Sequence, residues 1–143
     1  MRVYLTPEFK ALGIEFSAPR PGDAGYDLFA VEGGVISPGG LGRFQTGLHV
    51  EIPAGYVGLV KDRSSMATAG LISTGGVIDA AYRGEIMILL HNTNTTEYSI
   101  KTGQKIAQMV VLPCYTDSVL AVDQLAALSD TKRGAQGFGS TGK

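Results

Sequence analysis

The chain has 143 residues, enough for one domain with a sizeable core. It is 44% apolar and only 17% charged, which excludes a disordered chain, and its net charge of −1 argues against a protein that grips the phosphate backbone of nucleic acid. Cys114 is the only cysteine, so no intrachain disulfide forms and a reducing compartment is expected.

The opening residues, MRVYLTPEFK, lack the charged-then-apolar layout of a signal peptide, and no apolar run has the length of a membrane span. A soluble protein of the cytoplasm is expected, or of the nucleus or host cytosol if the source is eukaryotic or viral. Val3 and Leu5 alternate with polar neighbours, as in a strand. Residues 25–31 form a second β-type run, and residues 35–37 lead into the turn Pro38-Gly39-Gly40. Residues 44–52 and 56–61 read as strands, and residues 64–70 are the one short helical candidate. Residues 84–91 and 105–112 are strongly apolar strands, separated by a polar, turn-rich stretch from residue 92. Residues 122–128 suit a helical turn or a loosely packed strand. From Ser129 the chain is polar and glycine-rich, too poor in apolar groups to pack a core, so residues 129–143 are expected to form an arm beyond a domain of residues 1–128. Short strands at even spacing, with no crossover helices, predict an all-β sandwich, barrel or jelly roll.

Four clusters carry chemistry. Arg63, Ser64 and Ser65 stand where a strand gives way to the short helix. A guanidinium fork beside hydroxyls suits phosphate, although a helix cap beside a surface arginine gives the same pattern. Between Gly76 and Glu85, Asp79 follows two residues of buried type, and the flanking glycines predict a tight β-hairpin. A carboxylate on such a support can orient and deprotonate a water, and Tyr82 can offer its face to a sugar; a simple turn aspartate is the plainer alternative. Gln108 is a polar residue in an apolar strand and needs a partner, whether phosphate, water or backbone. In the tail, Arg133 and Ser140 lie among glycines whose N–H groups can wrap phosphate, and Phe138 needs a surface to stack on. His49 and His91 are isolated and read as structural, and no cluster has metal-ligand spacing.

In order along the chain, Asp23-Ala24-Gly25-Tyr26-Asp27-Leu28, Arg63-Ser64-Ser65-Met66-Ala67, Gly76-Val77-Ile78-Asp79-Ala80-Ala81-Tyr82-Arg83-Gly84, Gly103-Gln104-Lys105-Ile106-Ala107-Gln108 and Arg133-Gly134 through Gly137-Phe138-Gly139-Ser140-Thr141-Gly142 resemble the five motifs of the trimeric deoxyuridine triphosphatases, or dUTPases. The resemblance covers nearly the whole chain. It implies a jelly-roll subunit in a homotrimer, with residues 129–143 a flexible arm that closes over a neighbour's site. Motifs one, two and four would come from one chain, the hairpin from a second and the arm from a third. It implies hydrolysis of dUTP to dUMP and pyrophosphate, limiting uracil incorporation into DNA and supplying dUMP for thymidylate synthesis, with no nucleic-acid or membrane partner.

Residue roles follow from the same resemblance. Asp79 would activate the water that attacks the α-phosphorus, with positioning and charge stabilisation supplying most of the rate. Arg63, Ser64 and Ser65 would bind the triphosphate, and Gln108 the α-phosphate or the attacking water. Mg²⁺ would be held mainly by the phosphates, with Asp27 in its outer shell. Tyr82 would pack on the deoxyribose and exclude a 2′-hydroxyl. The backbone at Gly76, Val77 and Ile78 and around Met87 would read the uracil edge. Phe138 would stack on uracil, while Arg133, Gly139 and Ser140 close over the γ-phosphate. Three positions depart from the family pattern: Asp62 places a negative charge near the phosphates, Ser65 replaces a frequent glycine, and Ser73 stands where some members carry a base-contacting asparagine. Two other readings share the scaffold. One is a dCTP deaminase-like or bifunctional enzyme relying on a glutamate such as Glu85; the other is a non-catalytic nucleotide-sensing trimer.

Overall fold

Strict alternation of buried with half-buried or exposed side chains along Glu85–Asn92 gives a strand with one face in a core and one face out. The same logic repeats through the computed structural model, which describes residues 1–132, 134 and 135. In chain order the elements are β1 (Arg2–Leu5), α1 (Pro7–Ala11), β2 (Tyr26–Phe29), β3 (Gly34–Ile36), β4 (Leu41–Glu51), β5 (Tyr56–Lys61), α2 (Ser64–Thr68), β6 (Leu71–Thr74), β7 (Val77–Ile78), β8 (Glu85–Asn92), β9 (Tyr98–Ile100) and β10 (Lys105–Pro113). A 3-10 turn follows at Leu125–Ala127. One sheet runs β1-β4-β8-β6, a second runs β2-β10-β5-β7, and β3 pairs with β9. The pairings are antiparallel. The fold is an all-β jelly roll, and Leu48, Ile86, Ile88 and Leu90 of the first sheet share one core with Leu28, Ile106 and Met109 of the second.

Two expectations are corrected. The short helix at Ser64–Thr68 is joined by a second, α1, before the first long loop. Its signal was present: the Thr6 side chain caps the Phe9 N–H, Pro7 opens the helix, and Phe9 is fully buried. The segment from Gly76 to Glu85 is not a hairpin, because its two ends belong to different sheets. β7 pairs with β5, placing Gly58 opposite Ile78, whereas β8 pairs with β4 and β6. The crossing begins at Gly75 and Gly76, whose φ values of +75° and +103° are open to glycine. It returns through a turn in which the Tyr82 N–H donates to the Asp79 carbonyl.

The return to β8 is pinned at a bulge in β4. Pairing slips between Gln45 and His49, and there the Glu85 carboxylate accepts from the Gly47 N–H at 2.7 Å and the Gln45 amide at 3.3 Å. On the outward face of the first sheet, Leu41, Ile72 and Leu89 remain exposed. After β10 the chain leaves the core, and Tyr115, Val119, Leu120 and Leu125 are each more than four-fifths exposed at 81%, 93%, 87% and 84%.

Candidate functional site

A cavity of about 840 Å³ opens where three of the sequence motifs converge. β2 supplies Asp27, with Asp23, Ala24 and Gly25 just before it. Arg63, Ser64 and Ser65 come from the junction of β5 and α2, and Lys105 and Gln108 from β10. β10 pairs with both β2 and β5, which brings motifs one, two and four side by side, with Gln108 opposite Asp27 on one side and Lys61 on the other. Residues 15–20 form the remaining wall.

Asp27 organises the charges. Its carboxylate forms ion pairs with Arg63, whose Nε is 3.0 Å away, and Lys105, whose Nζ is 2.7 Å away, with Asp27 and Arg63 about one-third exposed. Lys105 also lies over the Phe29 ring, 5.7 Å from its centroid. At the rim, Arg20 pairs with Asp23 at 2.9 Å. The lining thus holds Arg20, Arg63 and Lys105 against Glu15, Asp23 and Asp27, with no net charge. Lys105 and Arg20 were not singled out in the sequence, because a lysine at a strand start and an arginine in a loop look like ordinary solvated charges. Their proximity to motif glycines and acids was the available signal.

Gln108 has a backbone partner: its Nε2 donates to the Asp62 carbonyl at 2.9 Å. Gly25 makes this possible, since a Cβ there would overlap the Gln108 Oε1 and come within 3.1 Å of its Cβ. Gly25→Ala is therefore expected to dislodge Gln108 and lower unfolding stability by about 1 kcal/mol for the lost hydrogen bond. Denaturant titration of the two proteins checks this; equal midpoints would mean that Gln108 is not held by Gly25.

The Asp62 carboxylate has a backbone partner: it accepts from the Ser73 N–H at 2.6 Å and ties the residue after β5 to β6. Ser73 is thereby joined to motif two through its backbone.

Motif three stands apart. Gly76, Val77, Ile78, Asp79, Tyr82 and Met87 are absent from the lining of the cavity. Asp79 is exposed just after β7, Tyr82 is 43% exposed with its hydroxyl donating to the Glu85 carbonyl, and Val77 is 66% exposed while Ile78 is buried. Met87 is half-buried on β8, opposite Gln45. Arg133, Phe138, Gly139 and Ser140 lie outside the described residues.

Among the described residues there is no group of three or more His, Cys, Asp or Glu side chains able to hold an ion. Asp27, the one carboxylate set between two cations in the cavity, suits a contact through water to an ion carried by phosphates better than direct capture of a bare cation.

An antiparallel jelly roll whose strand ends gather arginine, lysine, serines and a paired aspartate around one cavity defines a class built to hold a small polar ligand. The dUTPase family model matches residues 14–142. The deoxyuridine 5'-triphosphate nucleotidohydrolase of Alkaliphilus metalliredigens is 41% identical over 124 residues, 85% of this chain and 84% of the relative. That of Candida albicans is 42% identical over 121 residues, 84% of this chain and 76% of the relative. Among solved structures, the dUTPase of Staphylococcus bacteriophage 80alpha with dUPNHPP superposes with a TM-score of 0.86 at 29% identity, covering 99% of this chain and 98% of that one. A dUTPase from phage phi11 of S. aureus, in which a structural Mg(II) ion is coordinated, gives 0.77 at 28% identity over 87% of this chain and 97% of that one. The chain belongs to the dUTPase family.

Proposed function

We propose that this protein is a dUTP diphosphatase, releasing dUMP and pyrophosphate by attack of water on the α-phosphorus. The observation that carries the reading is the split of the motifs. Three converge on one charged cavity, while the segment bearing Asp79 and Tyr82 faces solvent elsewhere. A second copy bringing its motif three to this cavity completes the site, as a homotrimer with heterologous contacts allows. The exposed Leu41, Ile72 and Leu89 on the first sheet and the exposed apolar residues after β10 are surfaces that such assembly covers.

In this site Arg63, Ser64 and Ser65 bind the triphosphate, and Gln108, fixed by the Asp62 carbonyl, presents its remaining amide hydrogen to the α-phosphate or the attacking water. Asp79 takes the proton of that water. Tyr82 packs on the deoxyribose, and the backbone at Gly76, Val77 and Ile78 and near Met87 reads uracil, with Ser73 adjacent. Residues 129–143 close the site, with Phe138 on the base and Arg133, Gly139 and Ser140 at the γ-phosphate. Asp27 would hold Mg²⁺ through its hydration shell, and the ion would supply charge neutralisation on the phosphates. Action in the cytosol or nucleus fits the single free thiol at Cys114 and the lack, among the described residues, of a helix long and apolar enough to cross a membrane.

The deaminase-like alternative is weakened by Glu85, whose carboxylate is bonded to the Gly47 and Gln45 nitrogens. Pyrophosphate release from dUTP, dTTP, dCTP and UTP, with ammonia followed for dCTP, tests the reading. Preference for dUTP by two orders of magnitude or more is expected, since mismatched buried polar groups discriminate by roughly 10⁴ in favourable cases. Equal turnover of all four would overturn it. Deleting residues 133–143 is expected to leave the protein sedimenting as a trimer and to cut turnover by about 10²-fold; dissociation into monomers would contradict the role given to the arm.

A further inference from the structure

The segment that bears Asp79 and Tyr82 is gripped from outside the family motifs. β1 lies antiparallel to β4, which sets Tyr4 opposite His49 and Arg2 opposite Glu51. His49 and Glu51 are two residues apart on one strand and so point the same way. Both meet Arg83. The His49 Nδ1 lies 2.9 Å from the Arg83 carbonyl oxygen. A carbonyl only accepts, so Nδ1 carries the proton and donates. The Arg83 guanidinium is 3.8 Å from the Glu51 carboxylate. On its other edge it donates to the carbonyls of Ala80 at 2.7 Å and Tyr82 at 2.8 Å, which closes the turn on itself.

The outer side of the grip is also built. The Tyr4 ring leans on the His49 imidazole with centroids 5.6 Å apart, and the Lys10 ammonium caps Tyr4 at 5.6 Å. Arg2 donates to Glu51 at 2.6 Å, and that hydrogen bond holds the Glu51 carboxyl below the usual carboxylate range. The fixed object is a short turn whose ends lie in different sheets, so its middle is free to tilt unless something holds it. Arg83 is where it is held.

We propose that His49 and Glu51 are positioning residues: with Arg2 and Tyr4 they form a clamp on Arg83 that sets the placement of Asp79 and Tyr82. The catalytic meaning of the clamp rests on the dUTP diphosphatase reading; the clamp itself rests on the contacts alone. Neither residue touches the cavity, so loss of the clamp misplaces the reacting groups without removing any of them. Misplacement by about an ångström costs up to 10²-fold in favourable cases, and partial loosening is expected to cost about tenfold in kcat.

The test uses the full-length protein and two readouts, amide hydrogen exchange at residues 79–85 and steady-state turnover of dUTP. In His49→Ala, the Tyr82 amide is expected to exchange at least tenfold faster and kcat to fall about tenfold, with KM changed less than threefold. His49→Asn, which places an amide N–H near the Nδ1 position, is expected to recover most of both. His49→Phe keeps a ring against Tyr4 but has no N–H, and gives the same comparison if the alanine variant does not fold. Glu51→Gln is expected to shift exchange in the same direction by a smaller factor. Wild-type exchange and kcat in both His49→Ala and His49→Phe would overturn the clamp. Faster exchange in those variants, combined with a wild-type protein that does not hydrolyse dUTP, would sink the functional reading and leave the clamp standing.

Discussion

Replacing Asp79 by asparagine is expected to leave dUTP bound and to lower turnover by roughly 10²–10⁴-fold, the usual effect of losing a positioned base. The substitution is close to isosteric. The turn at Asp79 is closed by backbone, from the Tyr82 N–H to the Asp79 carbonyl, so the side-chain change leaves its frame intact. The groups assigned to the phosphates, Arg63, Ser64, Ser65 and Gln108, line the cavity on other elements and are untouched. Binding of a non-hydrolysable imido analogue by calorimetry, set beside single-turnover pyrophosphate release, separates the two effects. Turnover within a few-fold of wild type would remove Asp79 from its assigned role; loss of analogue binding would make it a binding group instead.

Chelation of divalent cations is expected to have the next largest effect, a fall in turnover of about 10²-fold or more that Mg²⁺ restores. The reason lies in the lining of the cavity. Arg20, Arg63 and Lys105 line the cavity with Glu15, Asp23 and Asp27, so its lining carries no net positive charge to offset a triphosphate. Arg63 and Lys105 are already ion-paired with Asp27, which offsets their charge toward incoming oxygens. On the proposed reading a cation carried by the phosphates would supply that positive charge, and it would need no protein cage because Mg²⁺ retains waters. Asp27→Asn is expected to raise the Mg²⁺ concentration for half-maximal rate by about tenfold, an effect of about 1.4 kcal/mol. Full activity in excess chelator would show that the chain's own cations suffice.

The long strands were legible as apolar, β-type runs bounded by turn residues. β5 fell on the expected residues 56–61, and β8 and β10 within a residue of expectation at each end. β6 and β9 escaped because four and three residues are too few to display a period beside polar turns. α1 escaped because its helical stretch is one turn long, although Thr6-Pro7-Glu8 is a start signal. Motif three was misread as a hairpin because sequence marks turns but not the partner each flanking strand will choose; Gly58 of β5 took Ile78, and Phe44 of β4 took Ile88. The convergence of Arg63, Asp27 and Gln108 was legible only through family resemblance, since they lie on three elements far apart in the chain. The direction of the Asp62 side chain was not legible at all, because a backbone N–H on β6 decides it. His49 looked inert for the same reason: its partner is a carbonyl oxygen, which leaves no trace in the residue type.

The passage of the chain from β7 in one layer to β8 in the other has a thermodynamic consequence. A strap with its two ends anchored in separate layers and its middle tied back through Arg83 has few conformations to surrender on binding. Ordering an interfacial side chain ordinarily costs roughly 0.5–1.5 kcal/mol. On the proposed reading, part of that cost for residues 79–84 would be met during folding, and the free energy of sugar and base contacts would go into affinity and discrimination rather than into stiffening the receptor.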